Sequence, residues 1–312
     1  MPLNPELISR QIFGHLTTFV AVAETLNFRR AAEVVGRSQP AVTAQINQLE
    51  ELLGVRLLVR TTRQVRLTSA GAELLSRARK LLSETHRLVS DLQSQAGLVS
   101  GQVVASFSPT IAVSLVPRVL RAFEHEHPGI HVLLREDLGP EMFAAVQTGG
   151  VDFGIGPYAR VPDQLVFQAI FEQEFFLILP TGHPLALKGH ARVRDLADLS
   201  ILCSATGTTA REVLEDAARA EGIVIRPKYE TLTYPTLFAL ASAGFGAIVM
   251  PTVDPDMLEA FGLKAVPFRG ARLARPIGMI VRRDEALAPA ADAFVKTLLL
   301  IAEQEGHQLG LA

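Results

Sequence analysis

Residues 31–50 read AAEVVGRSQPAVTAQINQLE, two short helical patterns joined by a turn. The second pattern opens with Ser38-Gln39-Pro40. Ser38 suits an N-cap, because its hydroxyl can accept a hydrogen bond from an otherwise unpaired backbone N–H of the first turn. Pro40 fits that first turn, where a missing N–H costs nothing. Val42, Ile46 and Leu49 then recur at i, i+4 and i+7, so one face must bury. The opposite face carries Gln39, Thr43, Ala44, Asn47 and Gln48, all polar and uncharged or small. A short helix with amides and hydroxyls near its N-terminus suits the floor of the DNA major groove. The stretch predicts a helix-turn-helix.

Upstream, Leu16 to Glu24 places Leu16, Phe19, Val20, Val22 and Ala23 as an apolar face for a helix packing on the next two. Asn27 is the expected N-cap of the helix through Ala31, Ala32 and Val35, and Gly36 its terminator. Downstream, residues 55–68 (VRLLVRTTRQVRLT) alternate arginine with branched apolar residues. That texture predicts two short strands around a turn, a wing laying arginines along the sugar-phosphate backbone. Charge follows the same division: residues 1–68 hold eight arginines against five glutamates, a balance of +3. Residues 69–100 carry +1 and residues 101–312 carry −6, giving the chain its net −2. Only the N-terminal segment has the cation excess that displaces counterions from phosphate. An ordinary solvated surface remains the alternative for any single arginine.

Beyond Thr68 the period becomes seven. Leu67, Leu74, Leu81 and Leu88 form one seam row, and Gly71, Ala78, Thr85 and Leu92 the other. Leu75, Leu82 and Val89 widen the stripe. A long helix burying its leucines against a partner helix is expected. Two coverings stand open: a second protomer, or other elements of the same chain. No other long amphipathic helix lies nearby in sequence, which favours the first. Leu74, Ala78, Leu81, Leu88 and Leu92 are the expected dimerisation residues, with Gly71 and Ala78 permitting close approach of two backbones.

Residues 97–101 read as a hinge rich in small residues. Strand and helix patterns alternate from there on, which predicts parallel sheets with covering helices. The expected organisation is therefore α/β: a DNA-binding domain at 1–68, a linker helix at 69–96 and the hinge at 97–101. An effector domain follows at 102–312, with lobe I near 102–170 and 271–312 and lobe II near 171–270. Two such lobes enclose a cleft where a small ligand binds.

At 312 residues, 48% hydrophobic and 20% charged, the chain is long enough for two or three globular domains. No apolar run approaches the roughly 20 residues of a membrane helix. The first residues, MPLNPELISRQIFGHL, lack a basic stretch leading into an apolar one, so a cytoplasmic protein without membrane association is expected. Cys203 is the only cysteine, which excludes an internal disulfide and a multi-cysteine metal site. It reads as a buried thiol rather than a redox sensor, since no second cysteine exists to resolve a sulfenic acid. His125 and His127 sit two apart and would point to different faces of a helix. No metal, no cofactor and no catalytic residue is expected, for the chain has no G-x-S-x-G, Walker loop or G-x-G-x-x-G.

Residues 15–71, HLTTFVAVAETLNFRRAAEVVGRSQPAVTAQINQLEELLGVRLLVRTTRQVRLTSAG, closely resemble the N-terminal signature of LysR-type transcriptional regulators. The likeness rests on AA, SQPAVT, I-x-x-LE, LG-x-x-L, R-T-x-R and LT-x-AG occurring together. HPGIHV, VDFGIG, GHPLA and ASAGFGAIVMP resemble recurring phrases of that family's effector domain. The resemblance implies a winged helix-turn-helix, a linker helix pairing two protomers, and a two-lobed Rossmann-like domain similar to type 2 periplasmic binding proteins. It also implies a homotetramer on imperfect dyads of promoter DNA. Such a regulator activates transcription with RNA polymerase when a small co-inducer binds. A transport solute-binding protein and an enzyme on the α/β lobes are the competing classes.

By the resemblance, Gln39, Pro40 and Thr43 contact bases or adjacent backbone. Arg30, Ser38, Gln45, Asn47, Arg56, Arg60, Arg63 and Arg66 complete the expected DNA-facing set. Many relatives carry a basic residue where this chain has Ala44, which removes one guanine or phosphate contact. Ser108, Pro109 and Thr110 follow the first strand of lobe I, at a helix N-terminus suited to an anion. Thr206, Gly207 and Thr208 offer the same chemistry from lobe II, with Gly156 and Tyr234 as further wall residues. The expected effector is an organic anion, a carboxylate by preference. Ordinary helix capping is the alternative use of each hydroxyl.

Overall fold

The computed structural model describes residues 5–60, 64–95, 101–158, 160–231, 233–251 and 254–305. The expected hinge and Arg63 fall outside that set, as do the side chains of Arg60 and Leu92. Contacts divide the chain into two units, Met1–Gln95 with Thr148–Gly150, and Ala96–Gln147 with Val151–Ala312.

The first unit contains α1 (Pro5–Thr25), α2 (Phe28–Val34), α3 (Gln39–Leu53), β1 (Leu58–Arg60), β2 (Val65–Leu67) and α4 (Ser69–Gln95). Asn27 caps α2 by accepting from the N–H groups of Arg29 and Arg30. Gly36, at φ +63°, lets Arg37 N–H reach the Ala32 carbonyl and its own N–H the Glu33 carbonyl. That double bond pattern ends a helix cleanly and needs the left-handed backbone that glycine adopts without strain. Ser38 caps α3 through the Ala41 N–H at 3.4 Å, and Gly54 closes it at φ +68°. Val42, Ile46 and Leu49 are fully buried with Phe19 and Val22 of α1. β1 and β2 pair antiparallel as the wing. Buried Glu50 tethers that wing to α3, accepting from the N–H groups of Leu57 at 2.8 Å and Leu58 at 3.0 Å.

α4 corrects part of the expected seam. Leu67 lies in β2, ahead of the helix. Ala78 is buried in the first unit's own core, and Leu74 packs against it. Gly71 serves closeness within the chain: a Cβ there would stand 2.1 Å from the Leu57 carbonyl oxygen. The heptad's first turns thus cover α1 and the wing, whereas Leu81 is 46% and Leu88 61% exposed.

The second unit is built from β3 (Gly101–Phe107), α5 (Pro109–Ser114), α6 (Val116–Glu126), β4 (Ile130–Glu136), α7 (Gly139–Gln147), β5 (Phe153–Pro157) and β6 (Leu165–Pro180). Then come α8 (Pro184–Lys188), a 3-10 turn (Val193–Asp198), β7 (Ile201–Ser204), α9 (Thr209–Ala220), β8 (Tyr229–Thr231) and α10 (Tyr234–Ser242). β9 (Ala247–Pro251), α11 (Pro255–Ala260), β10 (Leu263–Pro267), β11 (Ala274–Arg282) and α12 (Pro289–Glu305) complete it. The strands order as β4-β3-β5-β11-β6-β9-β7-β8, with β10 also on β6.

The expected parallel pairing with covering helices is present, within sheets that also contain antiparallel pairs. Parallel pairing holds where helices cross over, β3 with β4 and β5, and β7 with β8 and β9. β6 and β11 pair antiparallel with each other. β6 also runs antiparallel to β9 and β10, and β11 to β5. β6 is the reason. Its first part, to Glu174, pairs with β11, and from Phe175 it pairs with β9. One 16-residue strand therefore crosses from lobe to lobe, and β11 returns beside it. Each lobe has its own core. Phe107, Phe123, Phe153 and Phe294 cluster in lobe I, which places α12 there. Phe175, Leu177, Leu196 and Leu214 pack on one face of the lobe II sheet, Leu237, Phe238 and Ile248 on the other.

Candidate functional site

In the first unit the recognition-type helix presents Ser38, Gln39, Pro40, Ala44 and Asn47 as exposed residues, with Thr43 half-buried. Arg30 on α2 and Arg66 on β2 are also exposed. Arg56 bonds Glu50 at 3.0 Å yet keeps 78% of its side chain in solvent, so the ion pair orients the guanidinium without consuming it.

Gln45 departs from its expected place. Thr18 on α1 donates to its Oε1 at 2.7 Å, which turns the amide inward. The position explains it: Gln45 is three residues after Val42 and four before Leu49, on the edge of the buried stripe. Gln48 instead reaches His15, a buried residue of α1 whose Nδ1 has no partner among the described residues.

In the second unit the crossovers bring both lobes to one cavity of about 340 Å³. Lobe I supplies Ser108, Pro109, Thr110, Leu138, Met142, Phe143 and Pro157, and lobe II supplies Ser204, Gly207, Thr208, Thr209 and Tyr234. Five of the expected effector residues, Ser108, Pro109, Thr110, Gly207 and Thr208, thus meet Tyr234 across a mostly apolar wall. Two expected residues do not reach it. Thr206 is exposed in the loop before α9 and is not among the residues lining the cavity. Gly156 lies behind the wall, where a Cβ would stand 3.2 Å from Met142 Cε, and the next residue, Pro157, faces the cavity instead.

The hydroxyls divide by use. Thr208 caps α9 through the Arg211 N–H and bonds the Ser204 hydroxyl, so capping accounts for it. Ser108 stands at the N-cap of α5 without making a side-chain cap bond, and its buried Oγ has no partner among the described residues. A buried hydroxyl left unpaired is costly, and this one belongs to a residue that lines a cavity large enough for a ligand.

Arg275 on β11 was not among the expected residues. It is 6% exposed and lines the cavity floor. Nε and Nη2 donate to Gln173 Oε1 on β6 at 3.1 and 2.9 Å. Nη2 also donates to Thr110 at 3.0 Å and Nη1 to Thr209 at 2.7 Å. The guanidinium therefore ties both lobes and both crossover strands together. Its Cζ lies over the Phe175 ring, 5.4 Å from the centroid. Among the described residues no carboxylate pairs with it. Burial pushes its pKa down to about 10, partly offset by Tyr234, so it stays charged at neutral pH. Burial correspondingly raises the Tyr234 phenol, opposed by Arg275. Sequence reasoning had a weak signal available: an arginine in ARPIGMIV, a strand otherwise apolar enough to be central.

Cys203 is buried on β7. Burial pushes its thiol up to about 11, against the pull of Arg211, so it is protonated and a poor nucleophile at neutral pH. Among the described residues no cluster of three or more His, Cys, Asp or Glu is placed to hold a metal, and no helix is long and apolar enough to cross a membrane.

A winged helix-turn-helix unit joined to a two-lobed cleft defines a ligand-responsive DNA-binding regulator. Comparison with known proteins agrees. The model of the bacterial regulatory helix-turn-helix protein, lysR family, matches residues 13–72, and that of the LysR substrate binding domain matches residues 96–300. The chain belongs to the LysR family of transcriptional regulators, which are not enzymes. The solute-transport and enzyme readings are thereby set aside. The HTH-type transcriptional regulator YfeR of Shigella flexneri is 29% identical over 94% of this chain and 97% of its own. A probable hydrogen peroxide-inducible genes activator of Streptomyces viridosporus is 30% identical over 88% of this chain and 89% of its own. The structure of CbnR, also solved with its target DNA, superposes with a TM-score of 0.69 at 24% identity, covering 93% of this chain and 99% of that one.

Proposed function

We propose that this regulator binds imperfect dyads in promoter DNA and changes transcription when an organic anion binds between its lobes. Arg275 carries the reading: a buried guanidinium with no acid beside it among the described residues, facing a cavity. A buried charge is stable only when paired or richly hydrogen-bonded, and an incoming anion supplies the missing half. Ser108 and Thr110 of lobe I and Thr209 of lobe II line the same cavity around Arg275. Gln39 and Thr43 are the base-reading residues of this proposal, and Arg30, Arg56, Arg60, Arg63 and Arg66 the phosphate contacts. Exposed Leu81 and Leu88 support pairing of two α4 helices, which would set two reading heads on one dyad and extend to a tetramer. The cytoplasm, contact with RNA polymerase and activation on ligand binding complete the proposal.

A mobility-shift titration of the purified protein against its adjacent intergenic region, at several salt concentrations, tests it. The expected result is dyad-specific binding at least about a thousandfold tighter than binding to random duplex. Gln39→Ala should narrow that ratio, whereas Arg66→Ala should weaken both by a similar factor and lower the salt slope by about 1. Equal binding to dyad and random duplex would refute the operator reading.

A further inference from the structure

Resting on that effector reading, we propose that the cleft selects a monocarboxylate with an apolar body near the size of one ring, and that Arg275 determines this specificity. Guanidinium has five N–H donors. Gln173 takes two, Thr110 one and Thr209 one, which leaves a single Nη1 N–H. Ser108 lines the same wall, but its buried hydroxyl is out of reach of the cavity, so that N–H is the donor the guanidinium has left among the described residues. One charge-assisted N–H on a single buried cation matches one carboxylate. It falls short of the four oxygens and higher charge of inorganic phosphate.

The remainder of the wall excludes a second charge. Leu138, Met142, Phe143 and Pro157 offer apolar surface, against which a further carboxylate would be desolvated without a partner. At the rim, exposed Glu212 opposes a second anion and exposed Arg160 favours one. Both sit in water, where such charges are weak and here of opposite sign. The buried cation therefore decides where the charge goes, and the apolar wall decides what the rest of the ligand is.

The test uses the full chain, with calorimetric titration and thermal shift against four probes: benzoate, its neutral isostere benzamide, the dianion isophthalate and inorganic phosphate. Benzoate should bind roughly tenfold or more tighter than each of the others. Arg275→Gln should erase the preference of benzoate over benzamide. Should that variant fail to fold, Arg275→Lys keeps the charge without the planar fork, and should bind benzoate several-fold more weakly. Isophthalate or phosphate binding as tightly as benzoate, still dependent on Arg275, would overturn the monocarboxylate specificity and leave the anion reading standing. Benzamide matching benzoate, indifference to Arg275 substitution, or binding of none of the four would overturn both.

Discussion

His15 shows how one side chain sets a condition on the reading head. Burial lowers its pKa below the ordinary 6.5, the Gln48 hydrogen bond opposes this and Arg37 adds to it. The neutral ring is thus the form that the folded unit holds. Below pH 6.5 the unfolded chain takes up a proton that the folded one resists, so stability rises with pH through this window and is lost as pH falls. The unfolding midpoint of the first unit should drop on acidification from pH 7 to 5.5, and His15→Gln should flatten that dependence. Cys203 is the opposite case: its raised pKa keeps it out of reach of neutral-pH chemistry. Cys203→Ala should retain effector response in a reporter assay and cost about 1–2 kcal/mol of stability as a small cavity. Loss of response would restore a sensing role to the thiol.

At the scale of the element, α4 divides between two duties. Its first turns close the core of its own unit through Leu74, Ala78 and the Gly71 approach to Leu57. A side chain at position 71 must displace backbone, so Gly71→Val should cost about 1–3 kcal/mol or more. Leu81 and Leu88 lie beyond that core, so replacing both with glutamate should leave monomer stability nearly unchanged. Sedimentation should instead show the dimer dissociating, and an unaltered dimer would remove α4 from the proposed interface.

For the molecule as a whole, two units with separate cores imply two unfolding events. Calorimetry of the full chain should resolve two transitions. Operator DNA should raise one and a bound carboxylate the other, because a ligand stabilises the unit whose folded form binds it. The crossovers concentrate the second unit's sensitivity. Gln173 on β6 takes two of the Arg275 hydrogen bonds, so Gln173→Leu should destabilise the effector unit by about 2–4 kcal/mol.

What was legible from residues alone was local. Caps at Asn27 and Ser38, the stop at Gly36, the buried face of α3, the wing and the strand-to-helix junctions at Ser108 and Thr208 all act within a few residues, where short-range hydrogen bonding and periodicity decide the outcome. Gln45 was expected to face DNA, although its place beside the apolar stripe, where Thr18 bonds it, is visible in the sequence. Three matters depended on which distant segments meet. The partner of Leu74 and Ala78 is the core of their own unit. β6 runs antiparallel through both lobes because its two ends find different neighbours. Above all, Arg275 and Gln173 are 102 positions apart, and Arg275 and Thr110 165. Charge and hydrogen-bonding capacity are properties of a residue, but burial and pairing belong to the tertiary structure, and these make a strand arginine the floor of a cleft.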